Sequence, residues 1–417
     1  MSSISEPQIL FSNDLKQIKR YDIRPRDLKR RNYMKMTPLF WAIFNGNDDI
    51  ADYFINKGAD VNDMYNGETV LSMTIRLHNN FLAKRLLEKG ASIWKTSRIE
   101  YPPPFNDLYN YEADFPIKIA VLYNNYGIID YILNRWEGTD VDDRGLGDMT
   151  PLWYAIYGNF ISIIKILLDH GANVNVSHRR NPSPISLTIK ENKLDILEIL
   201  CPYYDHEYKL ITAVDAAAYY NNIDALKILL KFNFDINEHY SHGTALSTAV
   251  EYADYIMVEF LLENGADPNI PGIKHKTPIF YAINENDRDK LQLLIHYSAN
   301  VNFIDYEHNT PLHKATANDI DINIIKILLT NGADPSLINK KGYTPYLNAC
   351  ENENLNAIKL LIGFTDVNET DNKGNNAIHL ARNCPDCVKF LIDNGVNINH
   401  ENNDGYTYSM LLLGINP

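Results

Sequence analysis

Apolar residues along this chain fall into short clusters at helical spacing, and the clusters come in pairs. From residue 310, the first cluster turns Leu312, Ala315 and Thr316 toward its neighbours; the second holds Ile324, Ile325, Ile327, Leu328 and Leu329. Apolar side chains recurring every three or four positions predict amphipathic helices facing a core. Thr310 carries a hydroxyl suited to capping the first helix, and Pro311 stands where a missing N–H costs nothing. Asn318-Asp319 separates the two helices, and Gly332 ends the second by taking a left-handed conformation without a Cβ clash. A polar turn at Asn339-Lys340-Lys341-Gly342 then leads to the next pair.

Two helices this short bury little aliphatic surface alone; stacked copies bury a continuous core. The unit does recur. Starts fall at Thr37, Thr69, Phe115, Thr150, Ser183, Thr212, Thr244, Thr277, Thr310, Thr344, Asn376 and Thr407. From Thr244 onward the intervals between these numbers are 33, 33, 34, 32 and 31 residues. Thr-Pro-Leu stands at 37–39, 150–152 and 310–312, with Thr277-Pro278-Ile279, Thr344-Pro345-Tyr346 and Ser183-Pro184-Ile185 as variants. A second phrase closes each unit, as in Gly58-Ala59-Asp60-Val61-Asn62, Gly171-Ala172-Asn173-Val174-Asn175 and Gly265-Ala266-Asp267-Pro268-Asn269. One interval is long, the 46 residues from Thr69 to Phe115. Its extra residues lie near 96–110 and include Pro102-Pro103-Pro104, which predicts an enlarged loop.

These phrases, repeating in register, resemble the ankyrin repeat. The resemblance implies an all-α ankyrin-repeat solenoid of helix–turn–helix units with projecting hairpin turns, about 11 repeats plus a partial terminal one. Residues 37–417 would form the array, with the Pro-rich insertion near 96–110. Residues 1–36 would form a basic N-terminal capping repeat, in which Leu10-Phe11-Ser12-Asn13-Asp14-Leu15 reads as helix, turn, helix.

Composition narrows the class. At 417 residues and 45% hydrophobic, the chain exceeds what one small core holds, yet it shows no linker. No apolar stretch approaches the roughly 20 residues that span a bilayer, and no signal-peptide segment opens the chain. Four cysteines without a matched framework suit a reducing compartment. The expected location is therefore cytoplasmic, with the nucleus also open. A net charge of −14 argues against nucleic acid and anionic membrane as partners. The exception is Lys16, Lys19, Arg20, Arg24, Arg26, Lys29, Arg30, Arg31 and Lys35. Two readings stand for it: a docking or nuclear-import segment, or a solvated cap that keeps the array's end from self-association.

Nothing in the sequence supports an enzyme, a metal site or a cofactor. Cys384-Pro385-Asp386-Cys387 is the one CxxC; zinc would need a second ligand pair at suitable spacing. A thioredoxin-like site would need a βαβ unit, so the pair reads as two incidental thiols in a turn. His239, His242, His275 and His308 fall on projecting turns of successive units. Those turns stand about a helix diameter apart, too far for shared metal ligation, and the histidines read as surface residues. His313 and His379 take the family's usual histidine position, where the resemblance implies a loop-supporting hydrogen bond.

The resemblance also implies a binding surface. Ankyrin first helices form a concave palm, on which the fifth, eighth and ninth residues of each unit face a partner. In this chain those positions hold Trp41 and Phe44; Met73 and Leu77; Ile119, Leu122 and Tyr123; and Tyr154 and Tyr157. Lys190 and Glu191 interrupt, followed by Tyr219 and Tyr220, then Tyr252 and Tyr281. Beyond them Lys314, Asn318, Asn348, Glu351 and Asn352 make the surface polar. An exposed stripe of this kind marks an interaction site, with Trp and Tyr as anchors. The competing reading turns the early side chains into the core or against the Pro102 loop.

The Asn-, Ile- and Tyr-rich, irregular repeats further resemble the ankyrin host-range proteins of poxviruses. That resemblance implies a non-enzymatic protein that captures and blocks a host protein, such as one in immune signalling, in the host cell cytoplasm. Such proteins often end in an F-box-like segment that recruits a ubiquitin ligase, whereas this chain stops early in the Thr407 unit without one. A substrate-receptor role is therefore expected only for a fragment. A cellular ankyrin scaffold, or a piece of a larger ankyrin protein, is the other class.

Overall fold

The computed structural model describes the chain except residues 1–5, 106–111, 136–140, 143–148, 177–181, 206–211, 241–242, 319 and 415–417. Of residues 6–7, 112–113 and 239–240 it describes the backbone alone. Internal contacts divide the chain into two compact units, Met1–His206 and Glu207–Pro417.

Each unit is a stack of helix pairs. In the first, the leading helices are Pro38–Phe44, Val70–Arg76, Pro116–Leu122, Pro151–Tyr157 and Pro184–Lys190. Their partners are Asp48–Asn56, Asn80–Glu88, Tyr126–Asn134, Ile161–Asp169 and Leu194–Leu200. In the second unit the leading helices are Ala213–Tyr219, Ala245–Tyr252, Pro278–Asn284, Pro311–Lys314, Pro345–Glu351 and Ala377–Leu380. They pair with Ile223–Lys231, Tyr255–Glu263, Arg288–His296, Ile322–Thr330, Leu355–Leu361 and Pro385–Asp393, and Tyr408–Leu413 follows alone. Leading helices pack on leading helices and following helices on following helices, giving two layers in each unit. This is the all-α ankyrin solenoid architecture that the repeat pattern implies.

Local chemistry places the starts. The side chains of Thr37, Thr69, Thr150, Thr212, Thr310 and Thr344 each accept a hydrogen bond from the backbone N–H three residues on. Each satisfies one donor that the first helical turn would otherwise leave bare. Phe115 has no such side chain, and its helix starts on Pro116 without a side-chain cap. At the other end of the pair, Gly58, Gly171, Gly265 and Gly332 adopt φ of +86°, +83°, +91° and +87°, which explains the glycine that opens the closing phrase.

That phrase also joins neighbours. Asn302 Nδ2 donates to the Gly332 carbonyl at 3.0 Å, and its Oδ1 accepts from Asp334 N at 2.8 Å. Asn62, Asn237 and Asn269 make the same two bonds to the next repeat. The asparagine therefore staples successive left-handed turns, with Ser298 in place of glycine opposite Asn269, across separations of 28 to 30 residues.

Short antiparallel hairpins project from the stack, with Met64 opposite Thr69 and His239 opposite Thr244. The long interval is built differently from the expected loop. Ser97–Ile99 pairs with Glu112–Asp114, in register Ser97↔Asp114, Arg98↔Ala113 and Ile99↔Glu112. Between the strands, Tyr101 and Phe105 are buried. The insertion thus opens and closes as a paired hairpin and sends Tyr101 and Phe105 into the core, while residues 106–111 lie outside the described residues.

At the N-terminus a 3-10 turn, Glu6–Phe11, precedes the helix Leu15–Arg20, and Leu10 and Ile18 are buried. The basic side chains from Lys16 to Lys35 are all exposed. Asp27 is buried between Arg24 and Arg30: its carboxylate accepts from Arg24 N and Arg30 Nε, both at 3.0 Å. The hydrogen bond from the Arg24 backbone N–H is the main cause that lowers its pKa.

Candidate protein-binding surface

The leading helices and the turns after them carry the residues expected on the palm. Their burial separates these residues into groups. In the first unit Phe44 is 49% exposed and Leu77 48%. Trp41 is half-buried, stacks on Phe44 at 6.2 Å and donates from Nε1 to the Phe11 carbonyl at 3.0 Å. Tyr33 extends this cluster, with its ring 6.3 Å from Trp41, and is 87% exposed. Repeat register could not find Tyr33, because it precedes the first capped leading helix.

Met73, Ile119, Leu122 and Tyr154 are buried, which corrects their placement on the partner-facing surface. The physical reason at Tyr154 is the insertion. Phe105 packs edge-on against Tyr154 at 5.8 Å, and Tyr101 does so at 6.3 Å. Phe105 also covers Tyr157 at 5.8 Å, leaving that ring half-buried and stacked on Trp153 at 5.3 Å. Tyr123 is half-buried too, and its hydroxyl donates to the Glu100 carbonyl at 2.7 Å. Burial is the main cause that pushes its pKa up. Met73, Ile119 and Leu122 lie on leading helices on either side of the insertion, which pack against each other.

A buried ion pair anchors that hairpin. Lys118 Nζ lies 2.7 Å from Asp114 Oδ1, with both side chains out of solvent. The Tyr101 hydroxyl donates to Asp114 Oδ2 at 2.5 Å, and Lys118 Nζ sits 4.6 Å from the Tyr154 ring centroid. Lys118 occupies the position that His313 holds in the Thr310 repeat.

In the second unit Tyr219 is 53% exposed and Tyr252 61%, with their rings 5.5 Å apart. Tyr220 is half-buried, 5.1 Å from Tyr219, and Tyr281 is half-buried on the next leading helix. A hydrogen bond to Glu251 pushes the Tyr252 pKa up, helped by the charges of Glu251 and Glu285. Burial, then Glu251, does the same at Tyr281. Farther along, the polar positions serve the stack itself. Asn348 Nδ2 donates to Thr316 Oγ1 at 2.7 Å and to the His313 carbonyl at 3.1 Å, and Asn318 donates to the Asn352 carbonyl.

Two buried histidines serve the stack. His313 Nδ1 bonds Thr310, and Nε2 lies 2.9 Å from the Tyr343 carbonyl; His379 repeats this with Asn376 and Tyr406. Burial lowers both pKa values. His275 stacks on Tyr306 at 5.5 Å, His308 is exposed, and His242 with the His239 side chain lies outside the described residues. Cys384 and Cys387 are joined as a disulfide at the start of Pro385–Asp393, so the two thiols read as incidental are a pair. Cys201 and Cys350 are buried, and burial pushes the Cys201 thiol up to about 12. Among the described residues no group of three or more His, Cys, Asp or Glu side chains is arranged to hold a metal ion. No helix among them is long and apolar enough to cross a membrane.

Comparison with known families matches ankyrin repeats (3 copies) at residues 10–97, 117–212, 206–272, 271–339 and 317–402. A putative ankyrin repeat protein of Acanthamoeba polyphaga mimivirus is 27% identical over 338 residues, 71% of this chain and 44% of the relative. One from fowlpox virus is 31% identical over 142 residues, 34% of this chain and 99% of the relative. The mouse B-cell lymphoma 3 protein homolog is 27% identical over 239 residues, 57% of this chain and 48% of the relative. The chain spans less than half the length of the mimivirus and mouse relatives. Capped helix pairs, asparagine staples between left-handed turns and a family match through both units agree: this chain belongs to the ankyrin-repeat family.

Proposed function

We propose that this protein captures another protein on its leading-helix face and blocks it, as a viral host-range or immune-evasion factor. The carrying observation is a set of large apolar and aromatic side chains left in solvent where the fold has no use for them. Phe44, Leu77, Tyr219 and Tyr252 all sit at the ends of leading helices, each about half-exposed or more. Exposed aromatics clustered within a unit, Phe44 beside Trp41 in the first and Tyr219 beside Tyr252 in the second, favour partner binding, because they bury much area with few rotatable bonds. The viral relatives support the host-directed part of the reading. The mouse B-cell lymphoma 3 homolog supports a cellular scaffold as the second reading, which uses the same surface.

The test is affinity capture from mammalian cell extract with wild type and an F44S/L77S/Y219S/Y252S variant, read by mass spectrometry. A host protein retained by wild type alone is expected. Identical captures from both chains would overturn the placement, and no capture by wild type would overturn the function.

A further inference from the structure

We propose that the second unit grips a Lys/Arg-rich segment of its partner on Tyr219, Tyr252 and Tyr281, with Glu251 and Glu285 as counter-charges. The inference rests on the protein-capture reading and specifies what is captured. Tyr219 and Tyr252, 53% and 61% exposed, meet edge to face with ring centroids 5.5 Å apart, and half-buried Tyr281 continues the row on the next leading helix. A guanidinium or ammonium is attracted to such faces by the ring quadrupole. This chain already uses that contact internally, with Lys57 Nζ 5.6 Å from the Tyr53 ring and Lys118 Nζ 4.6 Å from Tyr154.

Charge selects among occupants. Glu251 precedes Tyr252 on its leading helix and Glu285 directly follows the next leading helix, Pro278–Asn284, and the charges of both act on Tyr252. Among the unit's cations, Lys290 is engaged in the stack itself. Lys290 Nζ is buried against the carbonyls of Val250 and Ala253, at 3.0 and 2.8 Å. Lys276 neighbours Lys314, Lys274 and Asp305. An apolar helix laid here would strip water from two carboxylates without pairing them, and a nucleic acid would be repelled. A basic segment pairs both carboxylates and stacks on the rings. Three leading helices about 10 Å apart span roughly 20 Å, the reach of about six extended residues.

The experiment is fluorescence polarisation with the full chain and a fluorescein-labelled ten-residue peptide alternating Arg and Ser. A counterpart carrying citrulline in place of Arg keeps the shape without the charge. The Arg peptide should bind, more weakly at 300 mM than at 50 mM NaCl, and the citrulline peptide should not. Y219A/Y252A should weaken binding roughly 5- to 30-fold, two exposed cation–π contacts. E251Q/E285Q, which leaves the rings in place, should weaken it at least as much. E259Q/E263Q on the following helix Tyr255–Glu263 removes the same charge and should change nothing. Equal binding of the citrulline peptide, a preference for a Pro-rich peptide, or an equal loss in E259Q/E263Q overturns the proposal. Cellular capture that survives E251Q/E285Q, with no Arg-peptide binding, overturns this inference and leaves the capture reading standing. No capture by wild type overturns the capture reading itself.

Discussion

Replacing Phe105 with alanine tests how the insertion is built. Its ring is fully buried and meets Tyr154, Tyr157 and Phe160 at centroid distances of 5.8, 5.8 and 6.0 Å. A buried Phe→Ala change costs about 3–5 kcal/mol, from lost transfer energy and the cavity left behind. In a repeat stack that cost falls on the repeat and its neighbours rather than on the whole chain. Native-state amide exchange reads it directly. Amides of Pro116–Leu122 and Pro151–Tyr157 should exchange roughly 100-fold faster or more, since about 1.4 kcal/mol is a factor of ten. Amides of Pro345–Glu351 should keep their wild-type rates. An unchanged first unit would mean that residues 96–110 are a solvated loop and that Tyr154 needs no cover.

Three further expectations follow from named contacts. K118M should destabilise the first unit by about 3–5 kcal/mol, because Asp114 stays buried without its partner, and D114N/K118M should recover part of the loss; denaturant melts of the three chains decide it. N302A removes both bonds of one staple, to the Gly332 carbonyl and to Asp334 N, and should cost about 1–3 kcal/mol, seen as faster exchange across Ile322–Thr330. His313 and His379 have folded pKa values below the usual 6.5, so the folded state favours the neutral ring. Their stabilisation is complete above pH 6.5 and falls as pH drops below it, so the Thr310 and Asn376 repeats should loosen first in acid. Exchange at Tyr343 and Tyr406, corrected for intrinsic rates, should show this in wild type and lose it in H313Q/H379Q.

The repeat was legible because its signals are local. A capping hydroxyl at Thr310, a proline at Pro311 and a glycine at Gly332 each act within one turn of chain. The staples were visible only as a phrase; that Asn302 reaches Gly332 requires the next repeat in place. The surface was half legible for the same reason. Position within a repeat gives the direction of Phe44, Leu77, Tyr219 and Tyr252, and all four are exposed. It gave the same direction to Tyr154, where a segment from much earlier in the chain folds back as Phe105 and covers the ring. Proline runs announce a break in helix; they carry no information on what the break will cover. Lys118 was an unread signal: a lysine in the buried histidine position needs a buried acid, and Asp114 stands one helical turn before it.

Site-specific photo-crosslinking tests the central claim most directly. A benzoylphenylalanine is placed at Phe44 or Tyr252 on the leading helices, or at Phe81 or Ile256, comparably exposed on the following helices. After irradiation in cell extract, positions 44 and 252 should trap a partner protein, and positions 81 and 256 should trap none. Crosslinks confined to 81 and 256 would place binding on the opposite layer and contradict the account.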